Sequence, residues 1–443
     1  MKIIKKTKRK LLYYYRHFLK KLVSFNKICK CIFLHPIRII KGLIILITKG
    51  PKALKRKYNK AQKEDNRNFL KKNKPINLIK KLFIAIIYFI LISIFFMVSS
   101  TIKFIYSFFS KKISIKNNKK NINGVSFIIP TWNKKKLVIN CVKLLDLYLS
   151  QEKPNIKKEI IVIENGSIDG SFKALSNLKT KIPLVILKKE TNIGFARAIN
   201  LGLKHSQYNY VYLINNDMEV QKNFFNSIID TAQNLLKQKK DFFGISSQIF
   251  FFDPNKRREE SGKTYSLPNT GFISIAHHVH KEALKELSLT LYPGGGSSLI
   301  NKHYFEEIGG YDYKSYTPLY CEDLDAGFIT WKLGLPSYFD PNSKVIHHHR
   351  SSSVNLIQDP SYFMYKNWLV LILKNFDSCQ NILSHLFIYP FKIIFSNSHA
   401  KYTTEAIKNL KNIFISKIKL YKYTIINSDK ILINFPKFKN SRK

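Results

Sequence analysis

Three groups of residues in this chain have the types and spacing that chemistry needs. The first is Asn215-Asn216-Asp217, the polar end of the apolar run "YLINNDMEV" from Tyr212 to Val220. The second is the acid cluster Glu322, Asp323 and Asp325 in "YCEDLDAGF". The third is the triplet His347, His348 and His349 in "KVIHHHRSSS". A carboxylate with an imidazole makes a pair suited to Mn²⁺ or Mg²⁺ bridging phosphates, so Asp217 with one of the histidines is a candidate ion site. Asp323 is a candidate proton acceptor, the kind of group that general-base catalysis requires. Plainer roles exist for each group. Acids that open a helix favour its dipole, and adjacent histidines can be surface residues.

The elements that would position these groups are legible as alternating strands and helices. "VSFIIP", "EIIVIE", "PLVILK" and "YVYLIN" read as buried strands. Between the first two, Leu137, Cys141, Leu144, Leu145 and Tyr148 recur at helical spacing. Such alternation predicts an α/β fold with a doubly wound, mostly parallel sheet. Ligands of an open parallel sheet bind at the carboxyl ends of its strands, and polar residues collect there. Thr131 and Asn133 follow the first strand, Glu164 and Asn165 the second, Asn192 and Gly194 the third, and Asn215 to Asp217 the fourth. Four such ends in succession point to one shared site. Further on, Gly294 to Gly296 would let backbone approach a ligand closely, or form a flexible loop. No G-x-G-x-x-G follows the first strand, and "SGKT" from Ser261 has Arg257 where a phosphate loop needs glycine. The glycosylation-type triplet Asn165-Gly166-Ser167 sits at a strand end, which favours a site role instead.

The chain has 443 residues, 45% hydrophobic and 14% aromatic, enough for a sizeable core. Its formal net charge is +47, which suits lipid surfaces, nucleic acid or phosphorylated substrates. Lys, Ile and Asn are abundant throughout, as an AT-rich genome would dictate, so charge alone identifies no partner. Cys29, Cys31, Cys141, Cys321 and Cys379 are scattered and imply reduced thiols. Residues 1–75 are basic and aromatic, with short apolar pieces that suggest interfacial helices, and lack the features of a signal peptide. Within residues 76–115, Leu82 to Ile102 carries no charge over a length that can cross a bilayer or lie along it. Residues 122–355 hold the strand and helix alternation. Residues 356–443 read as membrane-proximal helices with aromatics among lysines.

The strings "VSFIIPTWN", "IIVIENGSIDGS", "TNIGFARAINLGL", "YLINNDMEV", "GGGSSLINKHYFEEIGGYD", "CEDLD" and "VIHHH" together resemble a family-2 glycosyltransferase of the GT-A fold, close to the rhamnosyltransferase-like branch. The resemblance covers Val125 to Trp368, somewhat over half the chain. It implies that Thr131, Asn133 and Glu164 line a nucleobase and ribose pocket. Asn192 and Arg197 would lie near the nucleotide and its phosphates. Asn215 and Asp217 would occupy the DxD-type motif, with Asp217 and His347 as ligands of a divalent cation, Mn²⁺ or Mg²⁺. Asp323 would be the catalytic base, and Gly294, Gly295, Gly296 and Glu322 would shape the acceptor side. The implied activity is inverting transfer of a hexosyl or deoxyhexosyl group from a nucleotide-diphosphate sugar to a saccharide or lipid-linked acceptor. Such transfer belongs to polysaccharide synthesis at a bacterial cell surface, on a membrane and with the catalytic domain on its cytoplasmic side.

The chain departs from that pattern in three places. Glu164 replaces the usual Asp, Asn215 stands at the first DxD position, and Ile329 and its neighbours lack the Arg that commonly follows the acid motif. These departures motivate a second reading, a catalytically degenerate GT-A module that binds or tethers glycans at a membrane. A nucleic-acid partner is not expected, because the basic residues spread over the whole chain and no zinc-finger spacing occurs.

Overall fold

A computed structural model describes residues 76–111, 122–252, 262–267, 269, 271–278, 285–348 and 360–426. The expected interfacial helices of residues 1–75 lie outside them, as do His349 and the serine of "SGKT". The chain packs as two compact units, one of Lys112–Asn269, Ile273–Asn375 and Ile425–Lys443, the other of Met1–Lys111, Thr270–Phe272 and Phe376–Thr424. Helix α1, Leu78–Tyr106, belongs to the second.

The first unit is built on a nine-stranded sheet. Its opening half is β1 (Gly124–Thr131), α2 (Lys135–Leu149), β2 (Lys157–Asn165), α3 (Ser171–Ser176), β3 (Leu184–Lys189), α4 (Phe195–His205) and β4 (Tyr210–Ile214). The strands lie in the order β3-β2-β1-β4 and run parallel. Every residue of β1 and β4 is buried, as expected of strands covered on both faces. After β4 come β5 (Met218–Val220), α5 (Phe224–Lys237), β6 (Gly244–Phe251), the ribbon β7 (Thr264–Leu267) with β8 (Ser274–His277), and β9 (Ser288–Thr290). Then follow β10 (Ser297–Asn301), α6 (Lys302–Glu307), α7 (Glu322–Lys332), β11 (Ser337–His347) and α8 (Pro360–Asn375).

One face of the sheet is covered by α2 and α5 around Phe127, Tyr212, Phe224 and Phe225, whose rings stand 5.4–6.3 Å apart. Each such ring removed from water contributes about 2–3 kcal/mol. The other face packs on α4. The buried face of α2 is Val138, Cys141, Val142, Leu145 and Leu149, one step round from the residues the sequence pattern picks out. Both sets are apolar, and the sheet selects the one whose side chains point at Phe127 and Tyr212.

The second half of the sheet is mixed. Strand β10 lies antiparallel between β4 and β6, while β11 runs parallel to β6 and antiparallel to β5 and β9. The reason is local. The glycine loop that feeds β10 sits at the carboxyl end of β4, where Asn215 donates its N–H to Gly296 O at 3.1 Å. A strand that starts there must run back against β4. Along β11 the pairing with β6 passes from Asp340 opposite Ser247 directly to Lys344 opposite Gln248, so Pro341, Asn342 and Ser343 stand outside the ladder register with β6.

In the second unit, α1 packs with α9 (Cys379–Phe395), α10 (Asn397–Lys408) and α11 (Leu410–Lys419). The Asn77 side chain caps α1, accepting the N–H of Lys80 at 2.8 Å. Tyr88, 0% exposed, meets His385 of α9 at 2.6 Å between hydroxyl and Nε2.

Candidate active site

The register of β1 and β2 sets Thr131 opposite Glu164, so both side chains end at one rim of the sheet. Both are buried. Thr131 Oγ1 accepts from Asn216 Nδ2 at 2.9 Å, which ties the end of β1 to the end of β4. Asn133 takes a left-handed φ of 58°. Its N–H donates to Ser167 Oγ at 2.8 Å, and its Oδ1 accepts the N–H of Ile168 at 3.1 Å. Glu164 accepts the N–H of Ser167 at 2.7 Å through Oε1. Its second oxygen is buried without a hydrogen bond from the described residues. A buried carboxylate oxygen in that state is an acceptor waiting for a donor, such as the N–H or O–H groups of a nucleoside.

The third rim loop is braced by Asn165. Its Nδ2 donates to Asn192 Oδ1 at 2.9 Å, and its Oδ1 accepts the N–H of Ile193 at 2.9 Å. Asn192 itself is exposed and accepts the N–H of Gly194 at 2.8 Å. Its amide therefore shapes the entry into α4. Arg197, exposed in the first turn of α4, lies over the Tyr313 ring with 4.6 Å between guanidinium carbon and ring centre.

Asp217 follows β4, and its side chain is only 8% exposed. His347 Nε2 stands 3.5 Å from Asp217 Oδ1. The ladder between β11 and β5 puts His347 opposite Met218, and Asp217 O accepts the N–H of His348 at 2.9 Å. The next histidine turns the other way, with His348 Nε2 2.7 Å from Glu219 Oε1 and its ring on Phe252 at 4.0 Å. Asn140 Nδ2 donates to the same Glu219 oxygen at 2.8 Å. Two ligands on adjacent corners of an octahedral Mg²⁺ or Mn²⁺ site are about 3 Å apart. The 3.5 Å spacing of carboxylate and imidazole therefore fits a shared divalent ion with a small side-chain adjustment. No cluster of three or more His, Cys, Asp or Glu poised for a metal occurs among the described residues.

The glycine loop joins this end of the sheet to the acid helix. Gly296 accepts from Asn215, while the N–H of Gly295 donates to Asp323 Oδ2 at 3.1 Å. A Cβ on Gly296 would come within 2.7 Å of Asn215 Nδ2, so only glycine lets the loop lie this close. Tyr320 and Cys321, both with φ near 75°, turn the chain sharply into α7 and aim its first residues at the loop. Glu322 is buried with Oε2 making no hydrogen bond to the described residues. Burial, with the neighbouring charge of Asp323 adding to it, pushes the Glu322 carboxyl up to about 8. Asp323 is more open to solvent than its neighbours.

The third acid, Asp325, has a different surrounding. It accepts from Tyr316 OH at 2.9 Å, from Asn375 Nδ2 at 2.8 Å and from Lys374 Nζ at 2.6 Å. Lys374, 2% exposed, also donates to Asp312 at 2.8 Å. Burial alone would lower this ammonium, but Asp325 and Asp312 outweigh it and hold it above the usual lysine range. Asp325 thus anchors α7, through α8, behind the half-buried Asp323. Asn165 and Asn216 are among the strand-end residues that the sequence singles out, whereas Lys374 and Asn375 are supporting residues that motif reading missed. Nothing local distinguishes Lys374 from the other lysines.

Residues 126–287 match the model of glycosyl transferase family 2. The poly-beta-1,6-N-acetyl-D-glucosamine synthase of Staphylococcus epidermidis is 30% identical over 257 residues, 56% of this chain and 55% of that protein. The dolichyl N-acetyl-alpha-D-glucosaminyl phosphate 3-beta-D-2,3-diacetamido-2,3-dideoxy-beta-D-glucuronosyltransferase of Methanococcus voltae is 25% identical over 277 residues, 62% of this chain and 80% of that protein. The chain spans about half the length of the first of these relatives. The crystal structure of GalNAc-T7 with UDP, GalNAc and Mn²⁺ is similar over 64% of this chain and 54% of its own, at 15% identity and a TM-score of 0.45. The sheet order and the acid at the end of its fourth strand thus lie in a stretch, residues 126–287, that is similar to glycosyl transferase family 2.

Proposed function

We propose that the chain is an inverting, metal-dependent glycosyltransferase. It moves a hexosyl or deoxyhexosyl group from a nucleotide-diphosphate sugar to a saccharide or lipid-linked acceptor in cell-surface polysaccharide synthesis. The observation that carries this reading is the chain of contacts from Asp217 and His347, through Asn215 and the Gly294–Gly296 loop, to Asp323. The reading divides the chain into a basic region 1–75, a membrane-embedded segment 76–115, a catalytic domain 122–355 and a helical region 356–443, with the catalytic domain on the cytoplasmic side.

In this reading Thr131, Asn133 and Glu164 receive the nucleoside, the buried oxygen of Glu164 accepting one of its donors. Asn192 and Arg197 border the phosphates. Asp217 and His347 hold a divalent ion, which would neutralise charge on the leaving diphosphate. Asp323 takes the proton of the acceptor hydroxyl as its oxygen bonds to the anomeric carbon. The bond from that carbon to the diphosphate breaks on the opposite face, and the nucleoside diphosphate leaves. A single displacement inverts the configuration. Glu322 is held neutral by burial, and Asp323, the more open of the two acids, serves the acceptor side, where Gly294, Gly295 and Gly296 give the acceptor close access to backbone.

The test is nucleotide release from a panel of nucleotide sugars with Mn²⁺ present. Asp217→Asn and Asp323→Asn are each expected to lower turnover by at least about 100-fold while melting like the parent. Full activity in either variant would overturn its assigned role. Asn215, where a second carboxylate is usual, favours the alternative of a glycan-binding module. A folded protein that releases no nucleotide from any donor would establish that alternative.

A further inference from the structure

By sequence, α1 is apolar on every side, but its packing divides it into two faces. Ala85, Tyr88, Ile92, Phe95, Phe96 and Ser99 are buried against the other helices of its unit. Phe83, Ile86, Ile90, Ile94 and Val98 stand 39–63% exposed in a stripe along the opposite side. Free apolar stripes of this length on a helix are covered by a partner or by lipid.

The helices on the buried face decide how lipid could cover the stripe. Near the middle of the uncharged segment, Tyr88 lies 5.0 Å from the Tyr389 ring, and the Tyr389 hydroxyl accepts from Thr403 of α10 at 3.3 Å. Phe95 meets Phe414 of α11 at 5.6 Å. These two helices carry Lys401, Lys408, Lys411, Lys417 and Lys419 against a single acid, Glu405, and Lys408, Lys411 and Lys419 are exposed. Lys417 is 1% exposed, paired with Asp377 at 3.3 Å and set over the Phe96 ring. The junctions between α9, α10 and α11 fall here too, with their helix ends. Were α1 to cross a bilayer, those lysines and helix termini would enter hydrocarbon with it, where each exposed charge costs about 2.5 kcal/mol or more. With α1 flat on the surface, only its outer stripe meets acyl chains, and the lysines stay in water beside the headgroups. Lys80, in the first turn of the helix, and Lys111, beyond its end, are exposed, and α1 contains no acid, so the surface it fits is negatively charged.

We propose that α1 lies in the plane of an anionic lipid bilayer, its Phe83–Val98 stripe in the acyl boundary and α10 and α11 on the water side. The proposal rests on the membrane association in the reading above, but it is tested without sugar transfer. Nitroxide labels are placed singly at Ile86, Ile90, Ile94 and Val98 in the full chain, and their depth is measured in phosphatidylcholine vesicles with and without phosphatidylglycerol. Equal, shallow depth at all four positions, with binding strengthened by phosphatidylglycerol, is the expected result. A profile deepest at Ile90 and Ile94 and shallow toward Ile86 and Val98 would overturn it in favour of a span. Labels that stay out of lipid while the chain dimerises through this stripe would overturn it in favour of a second copy. In a companion measurement, Ile90→Glu with Ile94→Glu is expected to weaken vesicle binding roughly 100-fold. Nucleotide release by the same variant should be unchanged, and undiminished binding would contradict the proposal. Absence of nucleotide release from the unsubstituted chain, with its vesicle binding intact, would instead count against the catalytic reading alone.

Discussion

Replacing Lys374 by Met tests whether α8 holds the acid helix in place. Lys374 is buried between Asp325 at 2.6 Å and Asp312 at 2.8 Å, and Asp325 is itself 2% exposed. Methionine fills similar space but removes the ammonium on Asp325, leaving its carboxylate with the Tyr316 and Asn375 donors among the described residues. Removing one partner of a buried pair costs about 3–5 kcal/mol, because the other charge stays desolvated. For a domain of this size that lowers the melting temperature by roughly 10 °C. Urea unfolding of the Lys374→Met variant supplies the free energy, and nucleotide release in the folded fraction reports on Asp323. Adding Asp325→Asn should restore a large part of the loss, since the buried charge is then gone. A single-variant cost below about 1 kcal/mol, or no recovery in the double variant, would refute the anchoring argument.

Two further outcomes follow from the site. Glu322 has a folded pKa of about 8 against 4.5 in the open chain, so the folded state binds the extra proton between those values. Its contribution is fully present below pH 4.5 and is lost as pH rises toward 8. Glu322→Gln should remove this loss, and melting curves at pH 9 should show the variant more stable than the parent; equal pH slopes would contradict the assignment. Gly296→Ala forces a methyl to within 2.7 Å of Asn215 Nδ2 and 3.2 Å of Met218 Cε. Since Met218 adjoins Asp217, the variant should raise the KM for the nucleotide sugar several-fold with a smaller change in Tm, and an unchanged KM would count against the loop's role.

Much of the first half of the sheet can be read from residues alone. Buried parallel strands are written as continuous apolar runs, and their carboxyl ends announce themselves by the switch to Thr, Asn, Glu and Asp. What could not be read there depends on distant partners. The buried face of α2 is chosen by the sheet, not by its own pattern, because apolar residues lie on both candidate faces. The two faces of α1 are indistinguishable until α9, α10 and α11 cover one of them. Lys374 is one of 75 Lys and Arg residues, and only its place beside Asp325 and Asp312 sets it apart. The antiparallel β10 follows from where the glycine loop ends, a fact of three dimensions with no local signature.

The excursion Pro341–Ser343 on β11 acts as a parity device. Successive side chains of a strand alternate between faces, so an odd number of unpaired residues exchanges the faces of everything after it. The three residues here set the phase in which His347 meets Asp217 and His348 meets Glu219. Neighbouring imidazoles are chemically equal, so the choice between them is made by counting. A one-residue slip of the ladder beyond the excursion would bring His348 to the place of His347 while the composition of the triplet stayed the same. Which imidazole meets Asp217 is therefore set by the register that the strand resumes beyond Ser343.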